Sequence, residues 1–321
     1  MKDINMTDYD YIVRALEEAV KRRPVKGMLL SGGLDTSILA ATAARWSKPY
    51  CVTAAYTKAP APDVEYAGQV ARLFGLRHYV HYFGDDEIEE GLYKAVTVLK
   101  SFDPMEIRNS AAAYIALKAA REKGLTSVMT GDGSDELFAG YSFFFDLSKD
   151  ELDAALRRMQ ADMSFSAVDL AEDLGIQVIM PLLDPDFQDL ARKIDSKLKV
   201  NYEKGQLWGK WILRKAFENI LPPEIIWRVK APLEEGTGTA VLPLLFDAGI
   251  SNADYCRKRN RFLMEDGVRI RSKEHLHYYE IYRREVGIPC FGISKERICP
   301  ACRANIKEET NFCRTCGEYP V

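Results

Sequence analysis

A short apolar run, Val25-Lys26-Gly27-Met28-Leu29-Leu30, stops at Ser31-Gly32-Gly33, and a helical pattern begins at Ser37-Ile38-Leu39-Ala40-Ala41. Strand, glycine turn and helix follow one another within twenty residues, and the same rhythm then repeats. Residues 50–56 read as a second strand before a helix at 64–74. A third strand at 78–83 leads into a helix at 87–99. An alanine-rich helix at 109–122 precedes a fourth strand at 127–130. Strands alternating with helices of this length predict an α/β fold, an open parallel sheet with helices on both faces.

In front of this unit, residues 8–21 form an amphipathic helix with Tyr11, Ile12, Leu16 and Val20 on its apolar face. Beyond residue 149 strand signals fade, and helical patterns dominate to about residue 285. Pro222-Pro223 and residues 231–238 mark loops, and 287–294 reads as a linker. The expected domains are an N-terminal helix (1–24), a main domain (25–286, its sheet in 25–145 and a helical lobe in 146–286) and a cysteine-rich tail (290–321).

Bulk properties exclude several classes. The net charge of −3 gives no global basic field for nucleic acid. Residues 251–321 are locally basic, with 14 Lys/Arg against 10 Asp/Glu. The polar start has no apolar signal core, and no run reaches the length of a membrane span. Four of the seven cysteines crowd the last two dozen residues, which is no disulfide framework; a reducing, cytoplasmic location is expected.

Ser31-Gly32-Gly33-Leu34-Asp35-Thr36-Ser37 has the composition of an anion site. Glycines let the backbone approach closely, while exposed amides and the helix N-terminus face a phosphate. The hydroxyls of Ser31, Thr36 and Ser37 add donors. Asp35 repels phosphate directly, so its expected task is to hold Mg²⁺ against the phosphate oxygens. The loop lacks the Gly-Lys-Ser/Thr of a P-loop and the third glycine of a dinucleotide fingerprint. Alone it reads equally well as a capped helix after a tight turn. It resembles the pyrophosphate loop of the ATP-pyrophosphatases (PP-loop, adenine nucleotide alpha-hydrolase-like), which cleave ATP to AMP and pyrophosphate.

A second loop, Thr130-Gly131-Asp132-Gly133-Ser134-Asp135-Glu136-Leu137-Phe138-Ala139-Gly140-Tyr141, crowds three carboxylates and three glycines at the end of the fourth strand. Ligands of open α/β sheets bind at the carboxyl ends of strands, so Asp35 and Asp135 are expected to share one Mg²⁺. This run resembles the synthetase-domain signature of asparagine synthetases and of the β-lactam and carbapenam synthetases. Asp103-Pro104-Met105-Glu106-Ile107-Arg108-Asn109-Ser110, Met180-Pro181-Leu182-Leu183-Asp184 and Trp227-Arg228-Val229-Lys230-Ala231-Pro232 with Gly236 and Gly238 agree with it in order and spacing.

The resemblance implies an ATP- and Mg²⁺-dependent amidoligase that adenylates a carboxylate and passes the acyl group to ammonia or an amine. It implies that Lys230 neutralises charge on the α-phosphate and that Leu29, Ala55 and Gly131 line the adenine and ribose pocket. Asp132 stands where asparagine synthetases carry Glu; one methylene shorter, it implies an acceptor larger than or different from aspartate. Arg108 either pairs with a substrate carboxylate or forms an internal salt bridge.

Glutamine-dependent members open with a glutaminase domain whose nucleophilic cysteine follows the initiator methionine. Here Lys2 follows Met1 and the first cysteine is Cys51, so nitrogen is expected from free ammonia, a separate glutaminase or an amine on the substrate. In the tail, Cys299-x-x-Cys302 and Cys313-x-x-Cys316 have the spacing of a closed, structural Zn²⁺ ribbon. The ribbon would dock a partner protein such as a glutaminase. A tRNA partner, with sulfur or nitrogen transfer through Cys256 or Cys290, is the second reading, although isolated cysteines are more often buried small hydrophobes. A non-catalytic nucleotide sensor is the third.

Overall fold

The computed structural model describes residues 9–290, 297–307 and 310–321. Five parallel strands form the central sheet: β1 (Gly27–Leu29), β2 (Tyr50–Tyr56), β3 (His78–Phe83), β4 (Ser127–Met129) and β5 (Gln177–Ile179), in the order β3-β2-β1-β4-β5. Gly27 lies opposite Tyr50 on one side and Val128 on the other, and Ser127 opposite Gln177. Chain order reverses between β1 and β4. The loops leaving these two neighbours therefore diverge to opposite faces and open a crevice at their carboxyl ends.

Alternation along the strands divides the core. Met28 and Cys51 face a layer holding Ile12 and Leu16 of the Asp10–Arg22 helix, Ile38 of Leu34–Ala43 and Val70 of Asp63–Phe74. Val52 and Val128 face the other way, onto Tyr114 and Leu117 of the Pro104–Glu122 helix and Leu170 of Ser166–Asp173. Helices thus cover both faces, as the α/β pattern requires.

Local chemistry moves several boundaries. The helix after the glycine loop starts at Leu34, three residues before the expected Ser37, so Asp35, Thr36 and Ser37 all lie in its first turn. The alanine-rich helix starts at Pro104 rather than 109, because the Asp103 carboxylate accepts the Met105 N–H at 3.2 Å and Pro104 fills the first helical position. Tyr11 is largely exposed and leaves the apolar face of the first helix to Ile12, Leu16, Ala19 and Val20.

Strands also persist beyond residue 149. β5 is one, and β6 (Val200–Glu203) with β7 (Gln206–Gly209) forms an antiparallel hairpin. Its turn, Lys204-Gly205, has positive φ at both residues, the conformation favoured by two-residue hairpins.

The tail folds as a small hairpin, β8 (Arg297–Ile298) with β9 (Asn305–Ile306), packed on the lobe. Cys299, Cys302, Cys313 and Cys316 share one core with Phe102, Val268, Ile270 and Tyr279. Phe102 donates its N–H to Thr315 O at 2.7 Å, Ser101 Oγ to Arg314 O at 2.8 Å, and Arg269 N–H to Ala301 O at 2.8 Å. Of the expected linker 287–294, residues 291–294 lie outside the described residues.

Candidate functional site

Gly32, at φ 70°, turns the chain out of β1; a Cβ there would meet the backbone of Tyr66 and Ala67 at 2.4 Å, so the position admits only glycine. Ser31 and Thr36 then close the loop on itself: Ser31 Oγ and Thr36 Oγ1 lie 3.0 Å apart, and Ser31 Oγ accepts the Gly33 N–H at 3.2 Å. Across the crevice, Gly131 leaves β4. A Cβ on it would stand 3.1 Å from Asp35 Cβ and 3.2 Å from Thr36 Cγ2, so its bareness lets the two loops touch. Leu183 packs over Gly133 and braces the second loop from behind, which places the Met180–Asp184 segment in support of the site.

The two carboxylates expected to share Mg²⁺ are brought together, but a lysine that sequence reasoning missed lies between them. Lys210 Nζ is 2.7 Å from Asp35 Oδ2 and 2.9 Å from Asp135 Oδ1. Lys230 reaches the same Asp135 oxygen at 2.6 Å, with its ammonium 4.0 Å above the Tyr141 ring. Lys210 is 4% exposed. Burial opposes its charge, yet Asp135 and Asp35 hold its pKa above the ordinary lysine value. Burial likewise pushes the Asp135 carboxyl up, and the two ammonium groups outweigh this and leave it below the usual range. Gly140 makes the cluster possible, since a Cβ there would stand 1.8 Å from Asp135 Oδ1 and 2.3 Å from Lys210 Cε. The available signal was that glycine, together with a lysine following Gly209 at the end of a hairpin.

Three buried oxygens without a hydrogen-bond partner among the described residues suit a phosphate and its cation: Asp35 Oδ1, Ser37 Oγ and Ser134 Oγ. The hydroxyls stand in the first turns of the helices that follow the two loops and can donate. Asp35 Oδ1 can accept a cation bridging to phosphate. Leu29, Ala55 and Gly131 stand at or just beyond the carboxyl ends of the adjacent strands β1, β2 and β4, where a nucleoside bound in the crevice would meet them.

Asp132 is half-buried, and its Oδ2 accepts Thr130 Oγ1–H at 2.6 Å. Burial raises its pKa; the Thr130 bond opposes this, and the neighbouring Glu136, Asp35 and Asp135 charges add to it.

Of the two roles considered for Arg108, the structure shows the internal one. Its Nε and Nη2 each lie 2.9 Å from the carboxylate of Glu234, and Nη1 lies 2.9 and 3.0 Å from that of Glu274. With its fork filled, the guanidinium is a mooring for the lysine loop rather than a free receptor. Glu234 N–H also donates to Asn109 Oδ1 at 3.0 Å. At the loop's other end Arg228 pairs with buried Asp63 at 2.8 Å and reaches Ser31 O at 3.4 Å. Lys230 is thus carried on a loop tied to both the glycine loop and the 104–122 helix.

The four tail cysteines are buried, with sulfurs all within 4.8 Å of one another. The Cys299–Cys316 and Cys302–Cys313 separations are 3.7 Å. A tetrahedron with metal–sulfur bonds of about 2.3 Å has edges of roughly 3.8 Å, so the set fits a Zn²⁺ ion. The other thiols sit elsewhere. Cys51 is buried and burial pushes its pKa up to about 12, while Cys256 and Cys290 are exposed rather than buried as isolated cysteines usually are. No helix among the described residues is long and apolar enough to cross a membrane.

The probable asparagine synthetase (glutamine-hydrolyzing) of Schizosaccharomyces pombe is 28% identical over 304 residues, which cover 81% of this chain and 52% of the relative. Asparagine synthetase B of Escherichia coli is 27% identical over 310 residues, covering 89% and 55%. The chain spans about half the length of the curated relatives it matches. Among solved structures, NMN synthetase from Francisella tularensis aligns over 86% of this chain and 92% of that one, at 15% identity and a TM-score of 0.38. The family model of asparagine synthase matches residues 11–173 and 153–269. Because that match runs through both strand-end loops and the lysine loop that closes over them, the chain belongs to the asparagine synthase family.

Proposed function

We propose that the chain is an ATP-dependent, AMP-forming amidoligase. The observation that carries this reading is the meeting of Asp35, Asp135, Lys210 and Lys230 where the chain order of the sheet reverses. Donors and cations converge there on the place a triphosphate occupies when its nucleoside lies along Leu29, Ala55 and Gly131. Ser31, Gly32, Gly33, Thr36 and Ser37 bind the β- and γ-phosphates. Asp35 and Asp135 hold the Mg²⁺ that arrives with ATP, which supplies charge neutralisation.

A carboxylate oxygen of the substrate attacks the α-phosphorus, and the bond to the bridging oxygen breaks with its electron pair leaving on pyrophosphate. Lys230 offsets that negative charge while Lys210 holds the carboxylate pair in place, charge neutralisation being the main service a protein renders in phosphoryl transfer. Ammonia or an amine then attacks the acyl carbon, AMP departs with the electron pair of the acyl–oxygen bond, and the nitrogen gives up a proton. Asp132, whose proton affinity is raised in place, stands in the same loop to accept it. Arg108 positions the lysine loop. Cys299, Cys302, Cys313 and Cys316 hold a structural Zn²⁺, and the ribbon docks any separate glutaminase. A cytoplasmic location suits such a thiolate site.

ATP–pyrophosphate isotope exchange, screened across carboxylic acids with aspartate first and with tRNA pools alongside, tests the proposal. Exchange that depends on one acid supports it and identifies the substrate. Exchange only with tRNA would replace it with base adenylation. ATP binding without exchange under any condition would leave a nucleotide sensor.

A further inference from the structure

On the reverse side of the acidic loop, the helices Lys149–Ala161 and Pro185–Lys193 and the segment leading into β6 border a half-open cavity of about 400 Å³. Arg157, Arg192 and Lys199 line it, with Asp153 and Gln160. Two of these charges are already engaged. Arg192 pairs with Asp189 at 3.1 Å and reaches Gln160 Oε1 at 3.4 Å, and Asp153 faces Lys149 at 3.8 Å. Lys199 is different. It is 3% exposed, and among the described residues its ammonium makes no hydrogen bond or close ion pair; the Phe138 ring lies at 5.9 Å and the Asp153 charge acts on it from farther off. Arg157 is exposed at the rim and has no ion pair among the described residues.

We infer that this cavity is a binding site for a small polyanion, a metabolite bearing phosphate or carboxylate groups, seated between Lys199 and Arg157 and distinct from the nucleotide crevice. An ammonium on a largely buried side chain with only a distant counter-charge is poorly compensated, and a well-placed anion converts that into affinity. Burial lowers the Lys199 pKa to about 8, with Asp153 opposing the shift, so the group is mostly charged at pH 7 and mostly neutral at pH 9.5. The volume lies at the lower end of small-molecule sites, larger than inorganic phosphate alone fills.

The location gives such a ligand leverage on the active site. Gln160 Nε2–H donates to Glu136 O at 3.3 Å, and Lys199 lies against Phe138, both in the loop that carries Asp135. Lys199 O accepts the Trp211 N–H at 3.0 Å, one residue beyond Lys210. An anion held here bears on both segments that supply the central ion pair, so its binding and that of ATP are coupled reciprocally. The site itself stands whether or not the amidoligase reading holds.

Calorimetric titration of the full chain with citrate and, separately, with inorganic phosphate tests the inference. Lys199→Met fills the same space without charge and keeps or raises the melting temperature, so its folding is secure. Saturable binding of either probe at pH 7 is expected, weakened at least tenfold in Lys199→Met, in Arg157→Ala and in the unaltered chain at pH 9.5. Tighter citrate marks a carboxylate ligand and tighter phosphate a phosphorylated one. Absence of binding by both probes at pH 7, or equal affinity in Lys199→Met, overturns the proposal.

Discussion

Lys210→Met removes one charge and little volume from the centre of the site. In the native chain the Asp135 carboxyl is held low by Lys210 and Lys230 against the effect of burial. It therefore adds stability above the unfolded carboxylate pKa, near 4, and loses it as the pH falls through the folded value. Without Lys210, the Asp35 and Asp135 side chains, each about one fifth exposed, face each other with only Lys230 remaining on Asp135. Stripping one partner from a buried ion pair costs about 3–5 kcal/mol. Because Lys230 stays, the lower end, about 3 kcal/mol, is expected at pH 7.5.

Losing Lys210 raises the proton affinity of Asp135 toward what burial alone would set. The penalty therefore grows as the pH rises and shrinks as the Asp135 carboxyl takes up its proton at low pH. Urea unfolding of both proteins from pH 4.5 to 7.5 measures it, and millimolar Mg²⁺ should restore more stability to the variant than to the native chain. A penalty independent of pH would mean that Lys210 serves packing alone and would refute the electrostatic argument.

Asp35→Ala should abolish ATP–pyrophosphate exchange while far-ultraviolet circular dichroism is retained; surviving exchange would remove Asp35 from the phosphate site. Lys230→Ala should lower the exchange rate by about 10²–10³-fold with little change in melting temperature, as for loss of one preorganised charge-stabilising group. Arg108→Met, which strands Glu234 and Glu274, should destabilise the fold by about 3 kcal/mol; unchanged stability with a raised KM for the carboxylate would return Arg108 to a substrate-binding role. Metal analysis should find one Zn²⁺ per chain, and its removal should lower the melting temperature sharply because the ribbon shares its core with Phe102 and Tyr279. Zinc well below one equivalent would sink the ribbon assignment.

The parts legible in the sequence were those governed by local rules. Period and glycine placement gave β1–β4 and their helices, and the two loops announced their chemistry through crowded carboxylates and hydroxyls. What stayed hidden was either too short or too distant. β5 offers three residues, too few for a period to show. The β6–β7 hairpin turns on Lys204-Gly205 instead of the stronger Asn-Gly signal. Lys210 meets Asp35 across 175 positions of sequence, and Arg108 meets Glu234 across 126, pairings that no local pattern encodes. Asp103-Pro104 is a legible cap, but it lies five residues upstream of the alanine-rich stretch whose period marks the helix.

The lysine-bridged carboxylates bear on how a triphosphate is received. Two lysines offset the two aspartates at the centre of the cluster, with Asp132 and Glu136 beside them. Lys210 has little freedom to leave: it is 4% exposed, and its own N–H is bonded to Phe138 O at 2.9 Å. Lys230, on an exposed loop moored at Asp63 and Glu234, is the more accessible of the two ammonium groups. On the amidoligase reading, Asp35 and Asp135 would hold the Mg²⁺ that accompanies ATP, and Lys230 would turn from Asp135 to the phosphates. Lys210 keeps the carboxylates from repelling each other throughout, which is why stability should track Lys210 and turnover should track Lys230.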